Sequence, residues 1–268
     1  MKLVKFISII ITSILFSQPA TSGRLHSSNP QIQQALLHLS NADVLKNYII
    51  KFHARGGAYI IMNSATEEQV DKEFIGNVWP EFPIWSHNTL RLLYYAVGLH
   101  TGAVKEDEEI IFNTDDLTLL ERVNKEDAGA FFKPYIHKDF AYPLHLLSAY
   151  VKVFRNADNY LSAPQLAKLQ SAVSENVKSG KAKLANVEDA NVSGLSSTTF
   201  KSADGKVVYT VFIGEFEADN NNYAIITLLD SPEALKSTYN SNSSGWNAVP
   251  LAADLIKNIR SSQSGEKQ

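Results

Sequence analysis

Hydroxyl side chains crowd one short stretch of this chain, NVSGLSSTTF at residues 191–200, where Ser193, Ser196, Ser197, Thr198 and Thr199 follow one another along a strand-like run. A serine hydroxyl is a weak nucleophile until a nearby base takes its proton, and on a helix an i to i+3 spacing puts both side chains on one face. Acyl transfer is therefore the chemistry to look for, through a serine and an amine one helical turn apart. Ser86, in WSHNT, has Thr89 three residues on rather than a lysine. It stands as a fallback nucleophile without its base, and the Ser193 and Ser196 hydroxyls are the alternatives on the strand.

Other chemistry finds less support. The seven histidines, His26, His38, His53, His87, His100, His137 and His145, form no pair at metal-ligand spacing with a nearby carboxylate. KEDEEIIFNTDD holds six acidic residues but has neither the turn glycine nor the twelfth-position glutamate of a calcium loop. Lys125, Glu126 and Asp127 read as a solvated helix end rather than an acid/base pair. The chain has no cysteine, which removes disulfides, thiolate ligands and cysteine nucleophiles. No metal and no cofactor are expected. A formal charge of −3, with no basic stripe, speaks against nucleic acid as a partner.

The elements that must position these residues are legible in the periodicity. Residues 30–54 predict a helix, or two joined at Ser40-Asn41, and AYIIMNS (58–64) a strand. TLRLLYYAVGLH (89–100) is apolar on almost every side, a buried helix. YPLHLLSAYVKVF (142–154) and APQLAKLQSAVSENVKS (163–179) predict two more helices, each opened by a proline. KVVYTVFIGEFEA and NYAIITLLD alternate as strands, with polar turns at Ala203-Asp204-Gly205 and Asp219 to Asn222. A closing helix, AVPLAADLIKNI, leads into a polar tail, 261–268, expected to be disordered. Trp79, Trp85, Tyr94, Tyr95, Phe131, Phe132 and Trp246 are assigned to the core, with WPEFPIW as a cleft cover. The 268 residues fit one α+β domain with an antiparallel sheet flanked by helices.

The amino terminus has two lysines, a mainly apolar run of eleven residues from Phe6 to Phe16, and then small and polar residues, the layout of an export signal. Cleavage is expected after Ser22 or Ala20. An uncleaved anchor is the alternative, although eleven residues fall short of the ~20 that span a bilayer. Residues 1–22 are thus read as a signal peptide, 23–54 as an amino-terminal helical segment and 55–260 as the main domain.

Several segments, in order, resemble the transpeptidase domain of class B penicillin-binding proteins, the septal peptidoglycan-synthesising type. FHARGGAYIIMNSATEE is similar to its first strand, LLYYAVGLHTGAV to the end of its nucleophile helix, and YPLHLLSAYVKVFRN to the helix that follows. VVYTVFIGEFEADNNNYAIITLLDSP and SSGWNAVPLAADLIKNI resemble its last two strands and terminal helix, including a Gly-Trp-Asn-Ala-x-Pro element. The resemblance implies a shortened penicillin-binding-protein/β-lactamase-like fold and a peptidoglycan-linked role. The long pedestal domain that usually precedes it in class B proteins is not expected here.

The family's three motifs are altered in this sequence. Its Ser-x-x-Lys falls on Asn88 and Arg91; an amide does not attack carbonyls usefully, and arginine stays protonated. Its Ser-x-Asn falls on Lys125, Glu126 and Asp127, and only 13 residues separate Gly129 from Pro143, where the family has more chain. Its Lys-Thr-Gly-Thr falls on Leu195, Ser196, Ser197 and Thr198, so a leucine stands for the cation and a serine for the glycine that admits a ligand. The expected function is a non-catalytic, transpeptidase-fold protein of a bacterial periplasm, or a secreted one, binding peptidoglycan or wall and division proteins. A residual serine transpeptidase or carboxypeptidase that binds penicillin, and a secreted interaction protein reusing the scaffold, are the alternatives. Membrane attachment is expected only through an uncleaved signal anchor.

Overall fold

The computed structural model describes residues 39–76, 82–83, 88–112, 118–123, 140–200 and 208–264. Three runs of alternating side chains build the middle of one antiparallel sheet: β1 (Gly56–Asn63), β6 (Val208–Ala218) and β7 (Asn221–Asp230). The edges are β2 (Gln69–Ile75) and β5 (Ser193–Phe200), giving the order β2-β1-β7-β6-β5. The β2 strand has no counterpart in the sequence reading. QVDKEFI lies at the sheet edge with no fully buried residue, so it carries too few apolar residues to announce itself. A two-residue bridge pairs β3 (Phe82–Pro83) with β4 (Phe140–Ala141).

Because successive strand residues point to opposite faces, the sheet carries two cores. Ile60, Met62, Leu195, Val211, Ile213 and Ile226 face α2 (Asn88–Thr101), α4 (Pro143–Arg155) and α5 (Ala163–Lys178), with α3 (Thr118–Arg122) at their margin. Tyr59, Ile61, Phe212, Phe216 and Ile225 face α1 (Asn41–Lys51) and α6 (Ala248–Ser264). The boundary expected near Ser40-Asn41 is a helix cap: Ser40 Oγ accepts from the Asp43 amide at 3.2 Å. Residues 39–54 are no separate segment, since Leu45 and Phe52 lie in the second core and Tyr48 donates to Asp254. The carboxyl-terminal tail is helical through Ser264, four residues into the stretch expected to be disordered. A packed face through Ile259 carries the helix on, and Ser261 Oγ donates back to the Asn258 carbonyl. Among the described residues no helix is long and apolar enough to cross a membrane.

The position of β5 depends on two facing glycines. Gly194 pairs with Gly214 across β5 and β6, and the Phe212 ring lies over both. A Cβ on Gly214 would collide with the Ser193 carbonyl and fall 2.8 Å from Phe212 Cζ. Gly214→Ala should therefore lower stability by about 1–3 kcal/mol, the usual range for overpacking. A reduced urea midpoint with an unchanged slope checks it, and an unchanged midpoint would show that the ring has room to move.

Candidate functional site

The amino terminus of α2 is held against the edge strand β5 by two hydrogen bonds from one residue. The Asn88 amide donates to Ser197 Oγ at 2.8 Å, and Asn88 Nδ2 donates to the Ser196 carbonyl at 2.7 Å. Asn88 is only 5% exposed, and its Oδ1 has no hydrogen-bond partner among the described residues. On the other side of the strand end, the Ser244 amide donates to Thr198 Oγ1 at 2.9 Å and fixes the short turn Ser244–Trp246 beside β5. The turn after α5, with Lys183–Ala185 as one 3-10 turn, closes the third side. Between them lies a cavity of about 430 Å³, lined by Asn88 and the Ser196–Thr198 stretch, by Lys181, Lys183 and Leu184, and by the 243–246 turn.

Four of the residues singled out in the sequence, Asn88, Ser196, Ser197 and Thr198, are brought together here. Arg91, one turn further along α2, is 2% exposed and does not line the cavity. Leu195 is fully buried in the core beside α2 and α4 rather than in the cavity. Ser193 pairs with Glu215 on β6, also away from it. Ser86, Lys125, Glu126 and Asp127 lie outside the described residues, as do Trp79, Trp85, Phe131, Phe132, His26, His38, His87, His137 and the turn at 203–205.

Trp246, assigned to the core by its apolar ring, instead lies 37% exposed at the cavity wall, with the ring of Tyr239 packed on it at a 5.4 Å centroid distance. The short turn that carries it keeps it at the surface rather than in either core. Lys181 and Lys183 were missed altogether. They belong to no motif, and only the turn after α5 brings them to β5.

These contacts limit the chemistry. In acyl transfer the nucleophile's own backbone amide commonly helps hold the oxyanion, and its donor must be free to point at the reacting oxygen. Here the amide at the start of α2 is taken by the Ser197 hydroxyl. Among the described residues neither Lys181 nor Lys183 makes a side-chain hydrogen bond to a serine.

No family model matches the chain, and no curated protein matches it by sequence. Solved structures do. The transpeptidase domain of the D,D-transpeptidase FtsI4 from Legionella pneumophila superposes with a TM-score of 0.64 at 14% identity, over 88% of this chain and 98% of that one. The transpeptidase domain of penicillin-binding protein 3 from Burkholderia pseudomallei gives 0.63 at 14%, over 90% and 98%. Penicillin-binding protein 3 from Mycobacterium tuberculosis, complexed with aztreonam, gives 0.66 at 12%, over 85% and 77%. The α+β transpeptidase fold of class B penicillin-binding proteins, expected from the ordered segments, is thus the fold of this chain. At 12–14% identity the likeness concerns the fold alone.

Opposite the start of β5 lies a half-buried acid, Glu215, that the cavity does not use. Burial pushes the Glu215 carboxyl above the usual carboxylate range, with the Ser64 hydroxyl acting the other way. Burial also pushes the Tyr150 phenol up, and the Glu215 charge adds to it. A carboxyl whose folded pKa is raised binds more protons folded than unfolded, so its contribution to stability is present at low pH and lost as pH rises through the folded value. Glu215→Gln should therefore raise the urea midpoint at pH 8 and change it little at pH 4. An equal effect at both pH values would assign the change to packing instead.

Proposed function

We propose that this chain, which has the fold of class B penicillin-binding-protein transpeptidase domains, is a non-acylating binding module of the bacterial cell envelope. The observation that carries the reading is Asn88. Where the resemblance puts the family's serine, an amide side chain spans the gap between α2 and β5, and its backbone donor is occupied by Ser197. An amide at that point gives no covalent intermediate, and an arginine one turn on supplies no base because it stays protonated. What remains is a shaped cavity beside a rigid sheet, which suits binding. The signal-like amino terminus supports an exported protein, with peptidoglycan or wall and division proteins as its partners.

Fluorescent penicillin tests this directly. Incubation of the purified, folded chain, followed by denaturing electrophoresis and intact mass, should give no covalent adduct even at high reagent concentration. A stoichiometric adduct, mapped to Ser86, Ser196 or another hydroxyl, would restore the residual transpeptidase or carboxypeptidase reading.

A further inference from the structure

The cavity beside β5 has a chemistry of its own, apart from any lost reaction. Among the described residues its lining includes two lysines, Lys181 and Lys183, and no aspartate or glutamate, in a chain whose overall charge is −3. It also offers hydroxyls from Ser196, Thr198, Ser243 and Ser244. Trp246 presents an aromatic ring at one wall, and Tyr239, outside the lining, packs on it.

The strand edge points away from an extended peptide as the occupant. Gly194 and Ser196 stand two residues apart, so their carbonyls face the same side of β5. Asn176 Nδ2 donates to the first at 2.8 Å and Asn88 Nδ2 to the second at 2.7 Å. A peptide adding itself to this edge would have to displace both amides before it gained a ladder bond.

We infer that this cavity binds an anionic saccharide: a sugar ring with its C–H face against Trp246, its hydroxyls on the serine and threonine side chains, and its carboxylate or phosphate at Lys181 and Lys183. Each part of that ligand answers one feature of the lining. The flat ring uses the aromatic face, the sugar hydroxyls exchange hydrogen bonds with the lining hydroxyls, and the anion makes charge-assisted hydrogen bonds to the lysines. The inference rests on the non-acylating reading of the same site, because a bound sugar would occupy the space beside Asn88.

The test is NMR titration of the full chain with four probes: tetragalacturonate, glucose 6-phosphate, neutral maltotetraose and inorganic phosphate. Shifts at the Trp246 indole N–H and the Ser196 and Thr198 amides are followed. At least one anionic sugar should bind about tenfold or more tighter than maltotetraose and than phosphate, a difference of the size one ion pair supplies. Which anionic sugar binds distinguishes a carboxylate from a phosphate ligand. Lys181→Ala with Lys183→Ala should remove the preference for the anionic sugar, and Trp246→Ala should weaken all sugar binding. All three side chains are exposed, so the fold should survive, as circular dichroism would verify. Equal binding of neutral and anionic sugars, phosphate binding as tightly as the tighter of the two anionic sugars, or no shift with any probe at millimolar concentration would overturn the inference. Any of these leaves the non-acylating reading intact if penicillin forms no adduct, whereas an adduct would overturn that reading whatever the sugars do.

Discussion

One buried residue ties the two halves of this site together. Asn88 sits where α2 meets the edge strand β5, and it spends its backbone amide on Ser197 and its side-chain amide on the Ser196 carbonyl. Helix amino termini leave amide donors without intrahelical partners, and a sheet edge leaves carbonyls without them. Here the helix-terminal amide of Asn88 finds the Ser197 hydroxyl, and the Ser196 carbonyl finds the Asn88 side-chain amide. This pair of bonds gives the Asn88 amide and the Ser196 carbonyl a partner each and closes α2 onto β5.

Everything around that tie keeps β5 fixed in place. The Gly194–Gly214 pair lets the Phe212 ring cover the strand, Asn176 holds the Gly194 carbonyl, and Thr198 receives the Ser244 amide. The sheet itself is anchored on both faces, by α2, α4 and α5 on one side and by α1 and α6 on the other. A cavity bounded by such parts is preformed, so binding a ligand there need not wait for a large rearrangement.

The fold was legible because its signals are periodic. The alternation of VVYTVFIGEFEA and NYAIITLLD, and the all-round apolar character of LLYYAVGL, give the long strands and the buried helix within a residue or two of their ends. Polar edge elements left no such trace, which is why β2 was missed. The site was half legible. Asn88, Ser196, Ser197 and Thr198 could be picked out because flanking segments align with a known order of elements. Lys181 and Lys183 could not, since a turn between a helix and a strand has no period, and only tertiary structure says what it faces. Trp246 was misjudged because burial was inferred from residue type alone, and type does not fix burial for an amphipathic ring.

The central claim is that the Asn88 amide is locked to Ser197, and amide hydrogen exchange measured by NMR reads that bond most directly. In the unaltered chain the Asn88 amide should be protected to a degree comparable with the β6 and β7 core. In Ser197→Gly it should exchange about tenfold or more faster, while the β6 and β7 amides change little. An Asn88 amide that exchanges at loop rates in the unaltered chain, or one indifferent to the loss of the Ser197 hydroxyl, would contradict the account.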